Sequence, residues 1–305
     1  MARLPARDAR RRRLAAEARL PKPGWLKVRF AGGGRYAAMK ELIARHGLHT
    51  VCEEADCPNV SECFNAGEAT FMVLGDVCTR SCGFCSVTSG RPDGVDYLEP
   101  LRLARAVEVL GLDYAVITSV NRDDLPDGGA SIWAACVRAI RRRVPGCRVE
   151  VLTPDFEGNW EALRTVVEAA PEVYNHNVET VPRLYRTVRP KARYERSLEL
   201  LRRVKDIDPA MTTKSGIMVG LGETAAEVLQ VMADLRAQGC DLLTVGQYLQ
   251  PDAKHLPVAR YWHLDEYAEL KRAGEAMGFR HVEAGPFVRS SYHAGEQARA
   301  AGRGG

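Results

Sequence analysis

Six of the nine cysteines fall within residues 52–85, in two triplets. Cys52, Cys57 and Cys63 are spaced C-x4-C-x5-C, and Cys78, Cys82 and Cys85 are spaced C-x3-C-x2-C. Soft thiolates at such spacing select iron–sulfur clusters or zinc. A closed site of either kind needs four ligands, so each triplet leaves one position open or takes a ligand from elsewhere. A buried core is a poor reading, because Glu53, Glu54, Asp56, Glu62, Asp76 and Arg80 stand among the thiols. A disulfide knot suits small secreted domains, and nothing else here looks secreted. Zinc sites commonly pair one C-x2-C with another, a pattern that neither triplet follows, and His49 is the only histidine nearby.

The elements that must position these thiols follow from the rest of the chain. Its 305 residues are 46% hydrophobic and 27% charged, the composition of an ordinary globular protein with ample length for a core. No apolar run reaches the length of a membrane span. Net charge is +4, but residues 1–30 hold ten Lys or Arg against Asp8 and Glu17, which is +8 and leaves −4 for the remainder. The basicity belongs to an arm, which reads as a solvated terminus rather than a nucleic-acid contact. The arm has no serine and two acids, against a transit peptide, and no apolar secretory core. A cytoplasmic, reducing location is expected, and neither membrane nor nucleic acid is an expected partner.

From residue 70 onward, β-branched runs alternate with amphipathic helices. Strands are predicted at 70–75, 114–119, 148–152, 173–178, 215–219, 241–247 and, more weakly, 279–283. Helices are predicted at 36–46, 99–111, 131–144 (with Ser131 as N-cap), 158–170, 192–205, 223–238 and 264–277. Such alternation implies a parallel sheet, closed partly or wholly into an α/β barrel. Functional loops then belong at the C-terminal ends of the strands. Cys78, Cys82 and Cys85 follow the first strand, Asn121 and Asp124 the second, Asn177 and Glu179 the fourth, and Glu223 the fifth.

On these residues the chain resembles the lipoyl synthases, a family of radical S-adenosylmethionine (AdoMet) enzymes. The C-x3-C-x2-C triplet with Phe84 carries the superfamily likeness. The C-x4-C-x5-C triplet, Trp-Leu-Lys-Val-Arg at 25–29, Asn-His-Asn-Val-Glu-Thr at 175–180, Lys-Ser-Gly-Ile-Met-Val-Gly-Leu-Gly-Glu at 214–223, Gly-Gln-Tyr-Leu-Gln-Pro at 246–251 and Arg-Ser-Ser-Tyr at 289–292 narrow it. The likeness runs from about Pro21 to Gly295.

The resemblance implies an α/β fold: a partial (β/α)6 barrel of the radical AdoMet type, its mouth closed by N- and C-terminal extensions. The expected divisions are an arm at 1–20, an extension at 21–68, the barrel at 69–284 and a tail at 285–305. It implies two 4Fe–4S clusters. One, on Cys78, Cys82 and Cys85, leaves an iron free for AdoMet. The other, auxiliary cluster sits on Cys52, Cys57 and Cys63, completed by Ser291 or, less favoured, Ser290. Asn121, Asp124, Asn177, Glu179 and Glu223 are the candidate AdoMet contacts, although Glu179 and Glu223 also suit helix caps. Arg189 is a pocket residue or a surface ion pair. His176 reads as a satisfied core histidine, and Cys136, Cys147 and Cys240 as buried or incidental thiols.

The implied activity is insertion of two sulfur atoms at carbons 6 and 8 of a protein-bound octanoyl-lysine. Two AdoMet molecules are cleaved per turnover to deoxyadenosyl radicals, and the auxiliary cluster is consumed as sulfur donor. The implied partners are octanoylated lipoyl carrier domains (2-oxoacid dehydrogenase acyltransferase subunits and the glycine cleavage H protein), an electron donor such as flavodoxin or ferredoxin, and an iron–sulfur carrier for cluster rebuilding. Competing readings are an electron carrier, a zinc-dependent nucleic-acid module, and a radical AdoMet sulfur-insertion enzyme with another substrate.

Overall fold

The computed structural model describes residues 20–27, 32–55, 57–66 and 68–302. The basic arm read at 1–20 lies outside them except for Leu20, as do Val28 and Arg29 of the 25–29 phrase. Helix α1 (Gly34–Arg45) leads into β1 (His49–Thr50), α2 (Val51–Glu54) and α3 (Val60–Ala66). Then come β2 (Thr70–Val73), the short β3 (Val77–Cys78) and β4 (Thr88–Ser89), α4 (Glu99–Leu110), β5 (Tyr114–Ser119), α5 (Ala130–Arg143), β6 (Arg148–Leu152) and α6 (Trp160–Val167). The chain continues through β7 (Val173–Asn175), α7 (Tyr185–Val188), α8 (Tyr194–Ile207), β8 (Thr212–Val219), α9 (Ala225–Ala237), β9 (Leu242–Gln247), α10 (Leu264–Ala276), β10 (His281–Gly285) and α11 (Ala294–Gly302).

The main sheet has eight strands in the order β1-β2-β5-β6-β7-β8-β9-β10. Strands β2 to β10 pair in parallel, and β1 adds antiparallel to β2. β10 and β1 end the order without pairing to each other, so the α/β barrel is partial, with six strand–helix units and a seventh parallel strand. Period-two alternation divides each strand between lumen and helix layer. Val116 and Thr118 face cavities, whereas Ala115 and Ile117 join the core beneath the helices. Gly216 and Met218, then Thr244 and Gly246, repeat the pattern on β8 and β9. The outward positions Ile117, Ile217, Leu243 and Val245 are β-branched or Leu, which suits strands packed under helices.

The lower lumen is filled. Glu150 and Lys214, both fully buried, pair at 3.1 Å, and Tyr114 Oη and Asn175 Nδ2 also donate to Glu150. Burying such a pair is costly unless further hydrogen bonds satisfy the carboxylate, as Tyr114 and Asn175 do here. Below this layer α11 packs across the N-terminal strand ends, with Ala298 on Val173 and Leu242 and Gly295 on Tyr114. The tail therefore extends beyond the mouth expected for it and also plugs the base. The larger open space lies in the upper half, toward the C-terminal strand ends, and a small one remains beside Thr70, Tyr114 and Gly295.

Several boundaries differ from the sequence reading for local reasons. Strand β7 stops at Asn175, because Glu179 takes a positive φ of 65° and returns only as an isolated bridge to Ile217. Helix α5 is not capped by Ser131: Asp127 accepts from the N–H groups of Gly129 and Ser131, and the helix starts at Ala130. Helix α6 begins at Trp160, where the Asn159 side chain accepts from Ala162 N–H, after a separate short turn at Phe156–Gly158. No described helix is long and apolar enough to cross a membrane.

After β10 the tail crosses the end of β9 at Gly246. A Cβ there would overlap the carbonyl oxygen of Val288. Gly246→Val should therefore lower stability by about 1–3 kcal/mol, the usual range for overpacking. Urea unfolding measures it, and an unchanged midpoint would show that the tail does not depend on this contact.

Candidate metal centres

The stretch bearing Cys78, Cys82 and Cys85 leaves β2 through a left-handed turn at Leu74 and Gly75. Leu74 N–H is held by the buried carboxylate of Glu99 at 2.8 Å. Two backbone N–H groups point at Cys78 Sγ, from Arg80 at 3.4 Å and Asn121 at 3.3 Å, with Asn121 Nδ2 at 3.8 Å. These donors fix the position of the sulfur. His255 Nε2 donates to the Cys85 carbonyl at 3.0 Å. Beneath the loop, buried Arg80 binds Asp123 at 2.7 and 2.8 Å and Asp155 at 2.7 Å, and Arg196 also pairs with Asp155. Burial alone would raise the Asp155 carboxyl, but the hydrogen bond and charge of Arg80, with His176 and Arg196, outweigh it and hold it well below the usual range.

The other triplet is assembled from short helices. Cys52 lies on α2, which Thr50 caps by accepting from Glu53 N–H, and Cys63 lies on α3. Cys57 N–H donates to the Cys52 carbonyl at 3.1 Å. The tail is stapled to this unit: Asn59 Nδ2 donates to the Phe287 carbonyl at 2.7 Å, and Tyr292 Oη to Glu62 at 2.9 Å. One small cavity is consequently lined by Cys52, Cys57, Cys63 and Ser291, together with Arg289. Ser290 lines only the larger neighbouring space.

That larger space is a cavity of about 330 Å³. Cys78, Cys82 and Cys85 line it, and so do Cys52, Cys57 and Ser291, while Cys63 lines only the small cavity beside it. Burial pushes the Cys52 and Cys85 thiols up to about 12, and raises Cys57, Cys63 and Cys82 as well. A bound metal must displace those protons. Among the described residues, no three His, Cys, Asp or Glu side chains gather closely enough for a single metal ion. Zinc needs its sulfurs about 2.3 Å from one centre. Thiols spread around a cavity suit a larger inorganic core.

Four buried polar atoms on the chamber wall lack partners: Asn121 Oδ1, Asn177 Oδ1, Arg189 Nε and Ser86 Oγ. Buried polar groups are normally satisfied, so acceptors and a donor left open here fit a polar ligand. The donor set and these open atoms fit a cluster with a polar co-ligand such as AdoMet. Of the candidate contacts, Asn121, Asn177 and Glu179 line the chamber, and Arg189 joins them. Burial raises the Glu179 carboxyl, while Arg189 and Asn177 act against that rise.

Two candidates are not brought there. Asp124 lies half-exposed against Arg122 at 2.8 Å, because the 121–124 loop turns its carboxylate back on its own neighbour. Glu223 binds Gly220 N–H, Leu221 N–H and Trp262 Nε1, which makes it the internal tie of its loop. Arg189 makes no surface ion pair; its Nη1 donates to the Asn177 and Val178 carbonyls. Cys136, Cys147 and Cys240 are buried and free.

Sequence reasoning missed Arg80 and Arg289. Arg80 stands inside the C-x3-C-x2-C motif, and its partners Asp123 and Asp155 follow two different strands. Arg289 stands in the quoted tail motif and lines both cavities. Its position in that motif was the available signal.

The chain matches the family model described as the radical SAM superfamily over residues 72–235. A lipoyl synthase of Rubrobacter xylanophilus is 60% identical over 283 residues, which are 93% of this chain and 88% of the relative. A lipoyl synthase of Koribacter versatilis is 57% identical over 278 residues, 91% of each chain. Among solved structures, methylornithine synthase superposes with a TM-score of 0.54 at 12% identity, over 68% of this chain and 61% of that one. That likeness concerns the fold alone.

His176 lines the chamber but is fully satisfied. Nδ1 meets the Thr153 carbonyl at 2.9 Å, so it carries the proton, and Nε2 accepts from Ser197 at 3.0 Å. Burial lowers its pKa from 6.5 to about 4. As pH falls across that window the unfolded chain takes up a proton that the folded imidazole refuses, so stability declines. Removing the imidazole in His176→Gln should remove up to ~3 kcal/mol of this pH dependence. Urea unfolding of the metal-free protein at neutral and mildly acid pH tests it; equal pH slopes for the two proteins would contradict a neutral His176.

Proposed function

The chain belongs to the lipoyl synthase family of the radical SAM superfamily, and on that premise we propose how its residues divide the work of inserting sulfur into an octanoyl group. The observation that carries the reading is the single chamber lined by Cys78, Cys82 and Cys85 and by Cys52 and Cys57 of the other triplet. An acyl chain lying in it has one triplet on each side.

Cys78, Cys82 and Cys85 hold a 4Fe–4S cluster, and Cys52, Cys57 and Cys63 hold a second one with Ser291 as fourth ligand. When bound, these groups and AdoMet supply the one-electron chemistry that breaks unactivated C–H bonds at carbons 6 and 8, and the sulfide that replaces hydrogen. The protein's share is binding, orientation and exclusion of water. Asn121 orients the Cys78 sulfur through its N–H groups and leaves Oδ1 open to AdoMet. Asn177, Glu179 and Arg189 form the polar wall for the amino acid and ribose portions. The tail brings Ser291 to the lower thiols. Its oxygen is a harder ligand than thiolate and holds a soft iron–sulfide core less firmly, which suits a group that must surrender sulfur.

The carried substrate is an octanoyl-lysine on a lipoyl carrier domain, such as an acyltransferase subunit of a 2-oxoacid dehydrogenase or the glycine cleavage H protein. A flavodoxin or ferredoxin supplies electrons, and an iron–sulfur carrier rebuilds the spent cluster. The cytoplasm suits nine cysteines that are all free. The extension at 21–68, the barrel at 69–284 and the tail at 285–305 then have separate roles in sulfur supply, radical generation and closure.

Anaerobically reconstituted protein, given AdoMet, a strong reductant and an octanoyl-lysine carrier peptide, should add two sulfur atoms by mass spectrometry, as the dithiol under these reducing conditions and with two fewer hydrogens once oxidised to the disulfide. Cys63→Ala should lose the sulfur product by on the order of 100-fold or more while still releasing 5′-deoxyadenosine. Cys82→Ala should lose both. A sulfur product that persists in Cys63→Ala would contradict the assignment of the lower triplet.

A further inference from the structure

The loop carrying Cys78, Cys82 and Cys85 has two faces. Cys78, Arg80, Cys82 and Phe84 line the chamber, whereas Thr79, Ser81 and Gly83 do not. Ser81 is exposed. Its neighbours on that outer side are bound by two other segments. Gly83 donates to the Val188 carbonyl at 2.9 Å and accepts from Leu256 N–H at 2.9 Å. Lys191 Nζ donates to the Thr79 carbonyl at 2.9 Å. A Cβ at position 83 would lie 2.9 Å from the Leu256 side chain and 3.2 Å from the Thr187 carbonyl, so both segments press directly on the loop.

Where those segments reach solvent they are basic. Arg186, Lys191 and Arg193 are exposed on one and Lys254 on the other. Among the described residues no carboxylate pairs with any of the four. The acidic groups on this side are mostly engaged. Asp252 is held by His255 at 2.7 Å, Asp123 by Arg80, and Asp155 by Arg80 and Arg196. Glu195 is exposed without such a partner, and so are Asp76 and Glu157, which stand close in sequence to Cys78 and Asp155. The outer face of the loop is thus a polar backbone patch flanked by four exposed basic side chains that make no ion pair among the described residues, with Asp252 beside Lys254. Basic groups gathered beside the loop attract an acidic protein to it.

We propose that this rim is the landing site of a small acidic electron-carrier protein, which delivers one electron through the outer face of the loop while the acyl substrate occupies the chamber on the inner face. The proposal rests on the reading that Cys78, Cys82 and Cys85 hold a redox cluster. One electron leaves the reduced carrier and one arrives on that cluster, with no bond made or broken in the transfer. Entry from outside also lets the donor come and go without displacing the substrate.

The test is the triple variant Arg186→Glu, Arg193→Glu and Lys254→Glu, which spares Lys191 because it braces Thr79. The probe is fully reduced flavodoxin, with dithionite as the small-molecule control. Stopped-flow absorbance follows cluster reduction at low and high salt. Flavodoxin-driven reduction should slow on the order of tenfold or more in the variant at low salt, and the difference should shrink as salt rises. Dithionite-driven reduction and 5′-deoxyadenosine release should match the wild type, which also reports an intact fold and cluster. An unchanged flavodoxin rate at low salt would overturn the proposal. So would unchanged flavodoxin reduction with weakened binding of an octanoylated carrier domain, because the face would then belong to the acyl carrier. Failure of dithionite to drive AdoMet cleavage in the wild type would instead sink the cluster reading, and the rim's role with it.

Discussion

Three thiols are one short of the four ligands that an iron–sulfur core takes, and this shortage recurs at both triplets. Most of the architecture answers that constraint. A loop with an open corner must be stiff without a fourth protein ligand, and here Arg80, Asp123, Asp155 and Arg196 brace it from below while Gly83 is clamped from outside. At the other end Ser291, which we propose as the fourth ligand, comes from far along the chain, so the tail must be led back with its register preserved. Gly246, Asn59 and Glu62 are the points that hold it.

The lumen reflects the same demand. A fully closed and apolar barrel would leave neither room for an acyl chain nor polar groups for a charged co-substrate. The lower half is instead largely filled by Glu150, Lys214, Tyr114 and Asn175, and the larger chamber lies in the upper half. Alternate strand positions make this division possible, because each strand gives one face to the helix layer and the other to the lumen.

Much of this was legible in the sequence. Thiol spacing grouped the two triplets that the fold sets beside neighbouring cavities, and the strand–helix alternation gave the parallel sheet and its loop-bearing end. The fates of individual loop residues were not legible. Asp124 and Glu223 have the same chemistry as Glu179 and similar positions after strands, yet one turns to Arg122 and the other to Trp262. Which way a loop carboxylate points depends on partners distant in sequence, and no local pattern records them. The brace around Arg80 and the plug formed by α11 were hidden for the same reason: both depend on contacts between segments that only the closed fold brings together.

The account stands most directly on where the sulfur comes from. The protein would be reconstituted with heavy-isotope sulfide, freed of excess sulfide, and allowed a single turnover on an octanoyl-lysine peptide. The shared chamber predicts that both sulfur atoms in the product carry the label. Product formed with unlabelled sulfur would contradict it, because the thiols that face the acyl chain from the lower side would then not be the ones that hold the donor.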